Sequence, residues 1–134
     1  YPEKLIPFLI KRKSENKTLP IYGTGENLRE WIYVEDCCDA VELVLREGKS
    51  GEIYNIGSNH RVGNDYMADL IGGEKEYISD RKGHDRRYAV DSSKIRNLGW
   101  SNKIDIEEGI NKTKDWYLKR LDIIKQLEAN PHIK

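Results

Sequence analysis

Apolar residues along this chain recur at the spacings of secondary structure and never gather into a long run. Leu5, Ile6, Leu9 and Ile10 keep helical spacing, and Pro7 is tolerable in a first turn, so a helix is predicted there that Lys11 to Lys17 carry into solvent. Leu19-Pro20-Ile21-Tyr22 reads as a short strand closed by Gly23-Thr24-Gly25, whose two glycines permit a tight turn. A second strand is predicted over Glu30 to Val34. Cys37, Ala40, Val41, Val44 and Leu45 fall at i, i+3, i+4, i+7 and i+8, which predicts an amphipathic helix opened by Glu35-Asp36 and stopped by Gly48. Glu52 to Gly57 has the composition of a mostly buried strand, so strand, helix and strand are expected to form a βαβ crossover.

The closing element has the plainest signals. Asp105 and Glu108 stand at capping-box spacing, and Ile106, Ile110, Tyr117, Leu121 and Ile124 continue one apolar stripe until Asn130-Pro131 ends it. A single docking helix is predicted. No internal repeat, low-complexity stretch or linker interrupts the chain, and 134 residues with 37% hydrophobic content suffice for one modest core. The expectation is one mixed α/β unit. There is no initiating Met, and Tyr1-Pro2-Glu3-Lys4 runs straight into the first apolar segment, as expected of a fragment entered inside a domain.

Charge narrows the function classes. The 23 basic residues balance 23 acidic ones, which removes the bulk electrostatic footprint of a general nucleic-acid or anionic-membrane binder, so any anion site must be local. No stretch approaches the roughly 18 apolar residues needed to span a bilayer, and no leader pattern opens the chain. A soluble, cytoplasmic protein is expected. The adjacent Cys37 and Cys38 are too close for ordinary disulfide geometry and read as reduced thiols, one of them packing on its helix. His60, His84 and His132 lack zinc spacing, and neither G-x-S-x-G, a Walker loop nor G-x-G-x-x-G is present, so this chain by itself is not expected to hold a metal or a dinucleotide.

Three segments carry polar groups that packing does not need. Gly23 to Arg29 delivers an arginine beside Trp31 and Tyr33; its planar fork can grip phosphate oxygens bidentately, and a solvated surface arginine satisfies the same position. Asn55 sits inside an apolar strand pattern, where a buried amide is either tied to a backbone turn or aimed at a ligand. Asp80-Arg81-Lys82-Gly83-His84-Asp85-Arg86-Arg87-Tyr88 gathers four cations and a histidine; it is either an anion-binding loop or a solvated run of mutually paired charges.

At these residues the chain resembles a known family. EKLIP at 3–7, LPIYGTGENLREWIYVEDC at 19–37, GEIYNIG at 51–57 and DRKGHDRRYAVDSSKIRNLGW at 80–100 are similar to the C-terminal portion of the dTDP-glucose 4,6-dehydratases. The Y-G-x-G turn, the segment around Trp31 and Tyr33, and the Y-N-x-G strand are shared by many extended short-chain dehydrogenase/reductases. The GHDRRYAVD stretch points to the dehydratases.

The resemblance implies a small mixed α/β substrate-binding domain over 1–134, lacking most of the Rossmann sheet, with NAD held by an N-terminal domain outside this chain. It implies a lyase that takes hydride from the glucosyl C4 onto NAD⁺, eliminates water across C5 and C6, and returns the hydride to C6. None of the family's Tyr-x-x-x-Lys pair, Thr-Asp-Glu set or glycine-rich loop is in this chain, so no catalytic residue is expected here. What carries over is binding of the dTDP-sugar by Lys4, Leu5, Pro20, Ile21, Tyr22, Arg29, Asn55, Asp80, Arg81 and His84, with Arg29 and Arg81 facing the diphosphate, in a homodimeric enzyme. A UDP-sugar epimerase or decarboxylase shares most of these positions but not the 80–91 stretch, and a non-catalytic nucleotide-sugar-binding module is the third reading. Two departures stand out: Lys82 replaces a proline usual in the family, and the helix at 64–71 is short by about one turn.

Overall fold

A computed structural model describes residues 2–129. In chain order its elements are α1 (Leu5–Ser14), β1 (Leu19–Tyr22), β2 (Leu28–Glu30), α2 (Val34–Glu47), β3 (Arg61–Gly63), α3 (Asn64–Ile71), β4 (Lys75–Ile78), α4 (Ser93–Arg96), α5 (Ile106–Leu118) and α6 (Leu121–Ala129). The predicted first helix, first strand and α2 are all present. Pro7 lies in the first turn of α1, where its missing N–H costs nothing.

Among the described residues the sheet is reduced to two short pairs. β1 runs parallel to β4 with Ile21 opposite Tyr77, and β2 runs antiparallel to β3 with Arg29 opposite Val62. Gly25 joins these layers: it holds φ +74°, and its carbonyl accepts the Asp65 amide at 3.0 Å, while a Cβ there would lie 2.7 Å from Ile21 Cγ2 and from Asp65 Cβ. Only glycine allows α3 to seat so close.

Two apolar clusters hold the elements together. Leu9 and Ile10 of α1, Leu19 and Ile21 of β1, Met67, Ala68 and Ile71 of α3, and Ile110 of α5 form the larger one. Ala40 of α2, Ile95 of α4 and Trp100 form the smaller, with Leu43, Val44, Tyr54 and Ile56 packed around it. Asp36, 2% exposed, ties the smaller cluster to the approach of α5: its carboxylate accepts the amides of Lys103 and Ile104, both at 3.0 Å, and its carbonyl accepts Trp100 Nε1 at 3.2 Å.

Three sequence expectations are corrected. The second strand ends at Glu30 rather than beginning there, although Trp31 still donates to the His60 carbonyl at 3.0 Å. Residues 52–57 form no strand, and the expected βαβ crossover is not made, because no strand of the described chain runs beside them. Their backbone is partly satisfied by a side chain, Lys94 Nζ reaching the Ile53 carbonyl at 2.9 Å. The closing helix is two helices. At their junction the Arg120 side chain donates to the Trp116 carbonyl at 3.3 Å, while its own amide turns to Tyr117 at 2.9 Å, so the regular i to i+4 bond is replaced. The predicted stop at Asn130-Pro131 lies outside the described residues. α3 starts directly from β3 and runs eight residues, so the short helix noted in the sequence is a short helix in the fold.

A second buried anchor sits at the end of β2. The Glu30 side chain is 8% exposed and accepts from Asn59 N at 2.9 Å, Arg61 Nε at 3.0 Å and Val90 N at 3.1 Å. Burial pushes its pKa up, and the bonds from Asn59, Arg61 and Val90 together pull it further down, so the net shift is below the ordinary 4.5. A lowered folded-state pKa means the stabilisation is complete above that ordinary value and is lost as pH falls through the folded one. Glu30→Gln should therefore cost about 2–4 kcal/mol at pH 7, and the gap to wild type should close progressively below pH 4.5. Denaturant titrations at several pH values read both; a gap independent of pH would show that the charge of Glu30 contributes nothing. Asp36→Ala leaves two amides without partners and should cost about 2–3 kcal/mol, measured the same way.

Candidate anion-binding cleft

The start of α1, the exposed edge of β1 and the loop after β4 enclose a cleft of about 1360 Å³. Its inner wall is apolar, with Ile6, Trp31, Met67 and Ile110 among the lining residues. Of the ten residues expected to bind, Lys4, Leu5, Pro20, Ile21, Tyr22, Arg29, Arg81 and His84 line it. Lys4 and Leu5 come from the first turn of α1, and Pro20 to Tyr22 from a strand whose alternation buries Ile21 and exposes Tyr22.

The loop after β4 decides the charge of the rim. Asp80 accepts the Arg81 amide at 2.8 Å and meets His84 Nδ1 at 2.6 Å, and the bond to His84 is the leading cause of the lowered Asp80 pKa. Asp85 accepts the Tyr88 hydroxyl at 2.6 Å. Both aspartates are thus taken by neutral or histidine partners. Among the described residues no ion pair compensates Arg81, Lys82, Arg86 or Arg87. The reading of this segment as a mutually paired charge run fails on that geometry. Arg81 instead lies over the Tyr22 ring at 5.1 Å, and His84 meets the same ring edge-on at 6.2 Å between centroids.

Arg29 reaches the cleft from the other side. Its guanidinium donates to the Leu28 carbonyl at 2.8 Å and the Asp85 carbonyl at 2.9 Å, and lies over the Tyr88 ring at 4.2 Å. The backbone supports this pose: Leu28 N donates to Arg86 O at 2.8 Å and Tyr88 N to Leu28 O at 3.0 Å, making a parallel bridge between β2 and the loop. Asn27, buried, adds a bond to the Asp85 carbonyl at 3.2 Å. The Tyr88 hydroxyl pKa is raised chiefly by Asp85, while Arg29 and Arg81 both oppose the rise, so both guanidinia act on the same phenol. Two cations from segments far apart in sequence thereby rim one cleft, an arrangement suited to an anion with several oxygens.

Two expected residues stand apart. Asp80 does not line the cleft and bears on it through His84. Asn55 is exposed rather than buried, and its amide donates to the Asp91 carbonyl at 3.3 Å, because the segment carrying it has no strand to join. Three cleft residues carry polar groups that the sequence did not single out as site residues. Tyr88 was quoted within the charged run but given no part. Trp31 Nε1 and Asn64 Oδ1 are buried without a hydrogen-bond partner, on residues that line the cleft. An unmatched donor and acceptor in an otherwise apolar wall leave polar positions for a ligand to fill; no sequence pattern marks them.

The described residues do not fit a dinucleotide. A pyrophosphate site needs a glycine-rich passage from strand into an open helix start. The β2-to-α2 passage has no glycine, and at the start of α3 the Gly25 carbonyl already occupies the Asp65 amide. No group of three His, Cys, Asp or Glu side chains suited to a metal occurs among the described residues, and no helix there is long and apolar enough to cross a membrane.

Comparison with known proteins follows the same line. The family model described as NAD dependent epimerase/dehydratase family matches residues 1–57. The low-salt glycan biosynthesis protein Agl12 of Haloferax volcanii is 47% identical over 125 residues, covering 88% of this chain and 40% of its own. The dTDP-glucose 4,6-dehydratase of Escherichia coli is 42% identical over 147 residues, covering 98% of this chain and 41% of its own. The match to the latter extends over more positions than this chain has residues, so that relative carries residues in the matched stretch that are absent here. A crystal structure of the Bacillus anthracis dTDP-glucose 4,6-dehydratase in complex with NAD superposes with a TM-score of 0.84 at 42% identity, covering 91% of this chain and 41% of that one. The chain therefore spans about two fifths of the length of these relatives. By sequence and by fold together, the chain is homologous to two fifths of the length of the dTDP-glucose 4,6-dehydratases, and its residues 1–57 match the NAD dependent epimerase/dehydratase family.

Proposed function

We propose that this chain is the nucleotide-sugar-binding part of a dTDP-glucose 4,6-dehydratase, a lyase converting dTDP-glucose to dTDP-4-keto-6-deoxyglucose with loss of water. The observation that carries this reading is the approach of Arg29, from strand β2, and Arg81, from the loop after β4, to one cleft, with both nearby aspartates engaged elsewhere. A diphosphate is the anion that matches two separated guanidinia, since each can hold one phosphate group through paired, charge-assisted bonds.

In this reading Lys4-Leu5 and Pro20 to Tyr22 bound the nucleotide, and His84 is held at the rim by Asp80. Residues 1–134 act as the substrate-binding domain. NAD would be held by a part of the polypeptide outside this chain, where it would supply a reversible hydride acceptor beside the acid and base groups of a homodimeric enzyme. The part of this chain is to bind and orient. Asn55, placed at Asp91, reaches the nucleotide only if the 52–57 segment is drawn into a sheet.

Replacing Arg29 with Lys keeps the charge and removes the fork, its two carbonyl bonds and the stack on Tyr88. Calorimetric titration of dTDP into the full-length protein should show a loss of about 1.5–3 kcal/mol in binding, with little change in melting temperature. Wild-type affinity in Arg29→Lys, or a loss seen only where the variant has melted, would sink this assignment.

A further inference from the structure

We propose that Tyr88, braced by Asp85, is the positioning residue that sets the aim of the Arg29 guanidinium; the inference rests on the nucleotide-binding reading and adds a residue to that site. Tyr88 is 54% exposed and belongs to neither apolar cluster, so core packing does not account for a large aromatic ring at this point. Its ring lies under Arg29, with the guanidinium carbon 4.2 Å from the centroid.

The constraints on Arg29 are of two kinds. Hydrogen bonds to the Leu28 and Asp85 carbonyls act in the plane of the guanidinium and fix its position along that plane. Neither resists tilt. A ring face against the guanidinium face does, and the attraction between cation and ring quadrupole holds it there. The ring is itself restrained at both ends, by its amide on the Leu28 carbonyl at 3.0 Å and by its hydroxyl on Asp85 Oδ2 at 2.6 Å. Asp85 thus accepts from Arg29 through its carbonyl and from Tyr88 through its carboxylate, closing a loop of contacts around one cation. The remaining N–H donors of the fork are left for an anion in a set orientation, which spares the ligand the entropy of ordering a long side chain.

The test uses the full-length protein with Tyr88→Ala and Tyr88→Phe, each alone and combined with Arg29→Lys. dTDP affinity should fall on the order of tenfold in Tyr88→Ala and stay within about threefold of wild type in Tyr88→Phe, which keeps the ring. In the Arg29→Lys background, Tyr88→Ala should add less than about twofold, because the two residues act as one unit. A second readout needs no nucleotide: phenylglyoxal modification of Arg29, followed by peptide mass spectrometry, should be several-fold faster in Tyr88→Ala than in wild type or Tyr88→Phe. Equal losses from Tyr88→Ala in both backgrounds, or an unchanged modification rate, would overturn the proposal. If wild type failed to bind dTDP, the nucleotide reading would fall by itself, and the modification rates would still decide whether Tyr88 restrains Arg29.

Discussion

Glu30 commits both carboxylate oxygens to three donors on two segments, the Asn59 amide and Arg61 guanidinium on one and the Val90 amide on the other. A three-residue antiparallel pair has too few ladder bonds to hold its own register, so these charge-assisted bonds do that work instead. The neighbourhood is built around the group: a Cβ on Gly57 would run into the Glu30 carboxylate, so a larger residue there would displace the Glu30 side chain. Side chains alternate across a strand, and anchoring Glu30 on one face therefore fixes Arg29 on the other. The end of the charged loop is fastened by the same carboxylate through Val90. The strand that carries Arg29 and the end of the charged loop thus share one carboxylate.

How much of this was legible in the sequence depends on what each signal measures. Helices announced by period and caps are where expected: α1 with Pro7 in its first turn, α2 closed by Gly48, and α5 opened by Asp105 accepting the Glu108 amide at 2.8 Å. Strands were less secure, since a strand is a relation between segments. Residues 52–57 have strand composition and no partner, so composition alone overstated them. The same holds for the outer face of α2, where Val41 and Leu45 continue the apolar stripe yet stand exposed beside buried Ala40. That helix is apolar over more of its circumference than the described chain covers. The break before α6 was invisible to periodicity because it comes from one arginine capturing a carbonyl.

The positions that line the cleft were legible for a different reason. Resemblance supplied positions, and the fold brought eight of ten to one cleft. What neither pattern nor resemblance gave was the contact of Tyr88 with Arg29 or the unpartnered Trp31 and Asn64 atoms, which exist only as three-dimensional relations.

Formal neutrality of the chain hides how its charge is distributed. Several ion pairs among the described residues join exposed side chains, such as Arg46 with Glu42 or Lys112 with Glu108, and contribute little individually. Those pairs consume charge without building a field. At the cleft the arrangement is reversed, since Asp80 and Asp85 face a histidine and a tyrosine and leave the nearby arginines uncompensated. The segment sets four cations, Arg81, Lys82, Arg86 and Arg87, against Asp80 and Asp85, so a local positive charge remains in a protein whose net charge is zero. The two aspartates also give the loop its shape, because each closes a short turn within it, to residue 84 in one case and residue 88 in the other. A substitution at either aspartate therefore alters the charge and the conformation of the rim together.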